Sequence, residues 1–333
     1  MRKGVKVVAM LFAVWIASAN VSAQNVSLRP ILKPGQEARY SLSGSVDTQI
    51  TPTGANGLGG AERRELSATL LLRAGVPVPP IGDSQTLQNL GRSVRGNTVE
   101  GTGLPYSSEK YIYQSNTQGQ SKDVIYYEAV IEAFEARATV NGVENPANVK
   151  ATIGQKIGFA LDPAGRIVRC VAPIEAARTG LLDLLFSLLG WAPAQPLAVG
   201  QTWETPFDHD LPGYGYVSAA PLSSVPRAAK TAYTFAALND NRAVVDGAIT
   251  LNQPGISMIE MPAARMKVNL VAAGSGTTHV EYDVTTNRMA SAVSESTLKG
   301  RVVNIQPTRA GEKMQPREGA LVETAKFTIK LVQ

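Results

Sequence analysis

The chain has 333 residues, 44% hydrophobic and 18% charged, a balance that excludes a disordered or collagen-like polymer and fits a globular fold. It carries 32 Lys and Arg against 27 Asp and Glu, and three of the cations, Arg2, Lys3 and Lys6, lie at the extreme N-terminus, so residues 24–333 hold 29 cations against 27 acids. That net charge of about +2, with basic residues scattered and no cluster denser than Arg63-Arg64, excludes nucleic acid as the expected partner.

The first segment reads as a signal peptide. Arg2, Lys3 and Lys6 precede an apolar run over 7–17 that is shorter than the roughly 20 residues of a helical membrane span. Small residues at Val21-Ser22-Ala23 suit a peptidase that accepts compact side chains before the cut, which places the mature start at Gln24. Residues 1–23 are therefore expected to direct export to the periplasm or beyond the cell, leaving no transmembrane segment after cleavage. A lipid-anchored terminus would need a cysteine just after the apolar run, and the one cysteine of the chain is Cys170. A single thiol forms no internal disulfide, so the core alone must hold the domain together, and about 310 residues suffice for that.

From residue 24 to 333 the pattern is that of one β-rich domain. Period-two alternation and short β-branched runs predict strands near 38–50, 65–73, 124–140, 155–161, 166–171, 231–238, 242–251, 265–272, 277–284, 288–303 and 321–331. Hairpin turns are expected at Asp162-Pro163-Ala164-Gly165, Asn239-Asp240-Asn241 and Gly274-Ser275-Gly276, each with residues suited to tight or left-handed backbone. The Gly-rich stretch 51–60 and the polar stretches 76–106 and 205–227 are expected to be loops, the last two long enough to serve a function.

One helix is expected over 173–190, with Pro173 in its first turn and Gly190 at its C-terminal end. Glu175, Thr179, Asp183 and Ser187 make a narrow polar stripe on it; the remainder is apolar over far more than the arc of an ordinary surface helix. Such a helix must be buried on most sides. Leu181, Leu185, Phe186, Leu189 and Trp191 are accordingly the candidate ligand-binding residues, which either line an apolar groove against the sheet or complete its core. The fold expected is mainly β, a large curved antiparallel sheet or half-barrel with one long apolar helix on its concave face.

A short echo is also present. Leu32-Lys33-Pro34-Gly35-Gln36 resembles Leu197-Ala198-Val199-Gly200-Gln201, and each precedes an aromatic residue, Tyr40 or Trp203. Two related β halves, 24–172 and 191–333, flanking the helix would explain it, as would two similar turns.

Catalytic chemistry finds little support. Of the two histidines, His279 lies on an alternating strand whose Thr277, His279, Glu281 and Asp283 share a solvated face; His209 sits in Asp208-His209-Asp210, where adjacent residues rarely converge on one ion. Ser107-Ser108-Glu109-Lys110 and Ser296-Thr297-Leu298-Lys299 match a Ser-x-x-Lys spacing, but the second falls in a predicted strand, where residues three apart point to opposite faces. Gly54, Gly57, Gly59 and Gly60 are followed by a strand pattern rather than a helix, so no phosphate cradle is expected. No cofactor and no metal site is expected, and enzyme activity is not the leading expectation.

Signal peptide, many antiparallel strands and one very apolar helix together resemble the periplasmic lipoprotein carriers, in which a half-barrel sheet wraps an apolar groove. The segment Val199-Gly200-Gln201-Thr202-Trp203 also resembles stretches of exported bacterial proteins without an assigned function. The resemblance implies a non-catalytic binding or carrier protein for a lipid or other apolar or amphiphilic molecule. An envelope interaction module that engages a protein partner through its long loops and sheet edges is one alternative, and a hydrolase with scattered acids and His209 another.

Overall fold

The computed structural model describes residues 25–29, 32–54, 57–75, 110–114, 124–146, 149–162, 167–173, 175–176, 179–193, 195–207, 228–253, 259–261, 266–306 and 315–332. The signal segment 1–23, the stretch 76–106, the motif at 107–109 and Asp208-His209-Asp210 lie outside the described residues.

Among the described residues fourteen strands form one antiparallel sheet. The first half contributes β1 (Glu37–Thr53), β2 (Gly60–Ala74), β3 (Lys110–Gln114), β4 (Ile125–Val140), β5 (Val143–Pro146), β6 (Lys156–Leu161) and β7 (Ile167–Pro173). After the helix α1 (Leu181–Leu189) come β8 (Thr202–Phe207), β9 (Ala228–Asn239), β10 (Arg242–Gln253), β11 (Ile259–Met261), β12 (Met266–Asp283), β13 (Arg288–Gln306) and β14 (Gln315–Val332). Across the sheet the order is β3-β7-β6-β4-β2-β1-β14-β13-β12-β10-β9-β8, with β5 beside β4 and β11 beside β12. The halves meet where β1 pairs with β14, and the sheet is open, with β3 and β8 at its edges.

Alternation, shifted in register where β2 pairs with β4, β6 with β7, β9 with β10 and β12 with β13, sorts most side chains between two unlike faces. Tyr40 and Leu42 of β1, Leu70 and Leu72 of β2, Phe159 of β6, Phe235 of β9, Val245 of β10 and Tyr282 of β12 are buried on the inner face. The outer face is charged and cross-linked by ion pairs between strands, among them Arg39 with Glu132, Arg137 with Glu65 and Lys326 with Glu295. One apolar and one solvated face is the usual state of an antiparallel sheet with a single covered side.

Helix α1 is half the length that the sequence suggests. Pro173 closes strand β7 instead of opening a helix. Gly180 adopts φ +84°, which α-helical backbone does not tolerate, and the Thr179 hydroxyl donates back to the Glu175 carbonyl at 2.7 Å. Among the described residues the long apolar helix is thus a nine-residue helix preceded by a turn at 179–180, with helical backbone again at 175–176.

A second correction concerns Gly274-Ser275-Gly276, which is no turn: β12 runs straight through it. These glycines face inward, where a Cβ on Gly274 would overlap the Thr297 carbonyl oxygen and one on Gly276 the Glu295 carbonyl oxygen of the adjacent strand β13. Close backbone approach, and not a reversal of direction, is what glycine supplies there. Strand β8 likewise begins the stretch 205–227, and β3, β5 and β11 have too few residues to show a period. The turn at Asn239-Asp240-Asn241 joins β9 to β10, with Asp240 at φ 52°.

The two echo segments form the same turn. Lys33 N–H donates to Gln36 Oε1 at 2.8 Å and Ala198 N–H to Gln201 Oε1 at 2.8 Å, while Gly35 and Gly200 take φ of +82° and +89°. In each, the glutamine carbonyl then accepts from the next long strand, Ala74 N–H in one case and Phe235 N–H in the other.

Candidate functional site

All five candidate residues come together in the main apolar cluster. Leu181, Leu185, Phe186, Leu189 and Trp191 are each buried, as are Leu182, Leu184 and Leu188, so α1 is enclosed on nearly every side. It lies on the central strands β1 and β14. At Gly44 of β1 the helix comes so near that an added Cβ would stand 3.5 Å from Leu184 and 2.8 Å from Phe327. Phe186 meets Phe159 edge-on at 6.1 Å, and Phe159 stacks on Tyr127 at 5.3 Å, which carries the cluster outward to β4 and β6.

The segment 25–29 adds a second cover. Val26 pairs with Leu197 through two backbone hydrogen bonds of 2.8 Å. The Tyr282 hydroxyl donates to the Arg29 carbonyl at 2.7 Å, and the Arg29 guanidinium donates to the Asp162 carbonyl at 2.7 Å. Residues of both halves are tied by this one segment.

Just beyond the C-terminus of α1 stands an aromatic box that sequence reasoning saw only in part. Trp191 lies 6.3 Å from Trp203, 6.1 Å from Tyr233 and 6.0 Å from Tyr282, ring centre to ring centre, and Trp203 stacks on Tyr233 at 5.3 Å. Trp203 and Tyr233 come from β8 and β9 at the sheet edge. Burial pushes the Tyr233 hydroxyl up to about 12, and it drives Tyr282 and Tyr40 further in the same direction; the surroundings are of low polarity. The signal available in sequence was alternation, which puts Tyr282 on the apolar side of β12 with Val280, but it could not say which strands meet there.

Along the strands from this cluster the inner face becomes polar and then apolar again. Glu62, Thr48 and Glu323 stand side by side across β2, β1 and β14. The Thr48 hydroxyl donates to Glu323 at 3.2 Å, and the Arg64 guanidinium grips Glu62 with two bonds of 2.7 and 3.0 Å. Beyond them Ala272, Leu298, Val302 and Leu321 form a second, smaller cluster.

The other candidates are separate. His279 is exposed on the outer face, 2.7 Å from Asp246 of β10. Cys170 is buried on β7, and burial pushes its thiol well above the usual range, the state of an inert side chain. Lys299 is exposed on β13, on the face opposite that of Ser296. Among the described residues no three metal-ligating side chains converge, and no helix is long and apolar enough to cross a membrane.

No protein-family model matches the chain, and no curated protein matches it. Among solved structures it is similar to one described for lipid–protein interactions in lipovitellin, with 14% identity, a TM-score of 0.43, and coverage of 91% of this chain and 26% of that one. The chain thus spans about a quarter of the length of that structure. It is more distantly similar to an outer membrane channel from Pseudomonas putida F1, with 8% identity, a TM-score of 0.19, and coverage of 90% of this chain and all of the other. A monoaromatic hydrocarbon channel, TodX, is at 8% identity and a TM-score of 0.17, with 91% and 92% of the chains covered.

Proposed function

We propose that the chain is an exported, non-catalytic binding or carrier protein whose apolar or amphiphilic ligand is held between helix α1 and the inner face of a sheet curved into a half-barrel. The observation that carries the reading is the disparity between that face and its cover. Twelve strands in line, spaced about 4.8 Å apart, make a face about 50 Å wide. A helix of nine residues is only about 14 Å long.

Inward glycines support the curvature, because a sheet bent toward one side crowds the Cβ positions of that side, as at Gly274 and Gly300. A second apolar cluster on the same face, separated from the first by Glu62, Thr48 and Glu323, suits a ligand with both apolar and polar parts. The matching turns at Gln36 and Gln201 support a construction from two related halves, 24–172 and 191–333.

The test is native mass spectrometry of the protein purified from its own envelope, followed by organic extraction. A released amphiphile of defined mass is the expected result. A bare protein mass, together with no uptake of a fluorescent fatty acid or phospholipid by the stripped protein, sinks the proposal. N-terminal sequencing of the same sample is expected to begin at Gln24.

One observation favours a second reading, an envelope interaction module. Among the described residues β8 pairs on one side only, with β9, and an unpaired strand edge can accept a partner's strand. Deleting 208–227 would then abolish partner capture and leave amphiphile uptake intact.

A further inference from the structure

Of the polar groups in the aromatic box, all but one have partners. Trp203 Nε1 donates to the Trp191 carbonyl at 2.9 Å, Tyr282 donates to the Arg29 carbonyl at 2.7 Å, and the Tyr233 hydroxyl bonds with Thr205 and Thr231. Trp191 Nε1 is buried and has no acceptor among the described residues. Leaving such a donor unpaired forfeits its hydration with nothing in return, and native structures rarely accept that without a function for the group.

The position of the indole adds a second argument. It follows α1 directly and stands against the edge strands β8 and β9, and only Ala192, Pro193 and Ala194 separate it along the chain from the exposed Gln195 and Pro196. A ligand arriving at the β8 edge therefore meets the box before the deeper cluster under the helix. The four side chains of the box, Trp191, Trp203, Tyr233 and Tyr282, are uncharged and buried, so an ionised group placed against them would lose its hydration without gaining a counter-charge from them.

We propose that the Trp191 indole N–H is the polar anchor of the ligand site, donating to a neutral oxygen acceptor, an ester or ketone carbonyl, on an otherwise apolar ligand that enters at the β8 edge. This inference rests on the binding reading and makes it more specific. It assigns the ligand a polar atom, a charge state and a direction, with the carbonyl at the box and the apolar chain running inward beneath α1.

The experiment titrates the protein with three pyrene-labelled probes of equal chain length: a dodecanoate methyl ester, the free acid at about pH 8, where it is ionised, and the alkylpyrene without oxygen. The ester is expected to bind tightest. Trp191→Phe keeps an aromatic ring and removes the donor, so it is expected to weaken the ester about 5- to 30-fold and the alkylpyrene less than about twofold. Should the variant fail to fold, the indole N–H resonance of the native protein, told apart from that of Trp203 with a Trp203→Phe sample, is expected to move downfield with the ester and to stay in place with the alkylpyrene. Equal weakening of ester and alkylpyrene, tighter binding of the free acid, or an indole resonance that no probe moves overturns the anchor and leaves the binding reading standing. If the native protein takes up none of the three, both fail together.

Discussion

The indole N–H of Trp203 donates to the backbone carbonyl of Trp191 at 2.9 Å, which ties the first edge strand after the helix to the residue that follows the helix. The bond satisfies a carbonyl left open where α1 ends, and it sets the two indoles at 41° to each other. Removing only the donor isolates its contribution. Trp203→Phe is expected to destabilise the fold by about 1–2 kcal/mol, read as a lower urea midpoint with an unchanged slope; a loss under about 0.3 kcal/mol would mean that stacking on Tyr233 does the positioning alone.

Gly274 allows β12 to approach β13 where a Cβ would overlap the Thr297 carbonyl oxygen. Gly274→Ala is expected to destabilise by about 2–3 kcal/mol, because the obstacle is backbone and cannot swing aside. Ala273→Ser, on the exposed side of the same strand, should change stability by less than about 0.5 kcal/mol. Thermal unfolding of the two variants side by side separates an inner-face effect from a general intolerance of the strand.

Arg64 holds the Glu62 carboxylate on the buried face, where Arg64 keeps 19% and Glu62 only 7% of their side-chain exposure. Arg64→Met should cost about 1–3 kcal/mol by leaving that carboxylate without its partner, and adding Glu62→Gln should recover part of the loss. The double-mutant cycle measures the coupling directly, and additive losses would show that the pair matters only through packing.

Alkaline pH should unfold the protein cooperatively. Tyr233 titrates near 12 in the fold against 10.0 when unfolded, and Tyr40, Tyr127 and Tyr282 are raised by burial as well. A raised folded value means that the unfolded chain loses its proton first, so the contribution is complete below pH 10 and disappears as pH rises toward 12. For Tyr233 it amounts to about 2–3 kcal/mol. Tyrosinate absorbance at 295 nm should rise together with loss of the β-sheet circular dichroism signal; a smooth rise at pH 10 with the sheet intact would contradict this burial.

His279 and Asp246 are a contrasting case. Their pair is exposed on the outer face, and His279→Ala should alter stability by less than about 0.5 kcal/mol and leave ligand uptake unchanged.

Legibility followed the period of each element. Strands such as β1, β4 and β13 show in the sequence because inner and outer residues alternate over a dozen positions or more, and Val280 with Tyr282 against His279 with Glu281 could be sorted to opposite faces before any pairing was known. Short strands such as β3 and β11, with five and three residues, offer no period to read. The Gly274-Ser275-Gly276 segment misled because glycine suits both a turn and a crowded strand, and only the neighbouring carbonyl distinguishes them. The helix was misjudged for a related reason: an apolar run from Ile174 to Trp191 says nothing against helix until Gly180 takes a left-handed conformation.

Composition and alternation by themselves determined that this is a cysteine-poor β protein with one solvated and one apolar face and an apolar helical segment after the first group of strands, whose length they overstated. Those properties are local, set by the side-chain period of two and by the hydropathy of each residue. What the tertiary structure alone decided is which residues meet: β1 against β14 at the centre of the sheet, Arg29 beneath Tyr282, Glu62 beside Thr48 and Glu323, and Trp191 inside a box drawn from β8, β9 and β12. Those contacts join positions up to 293 residues apart, Arg39 with Val332 among them. They depend on strand order and register, which hydropathy does not encode, because every inner-facing apolar strand is chemically an acceptable neighbour for every other.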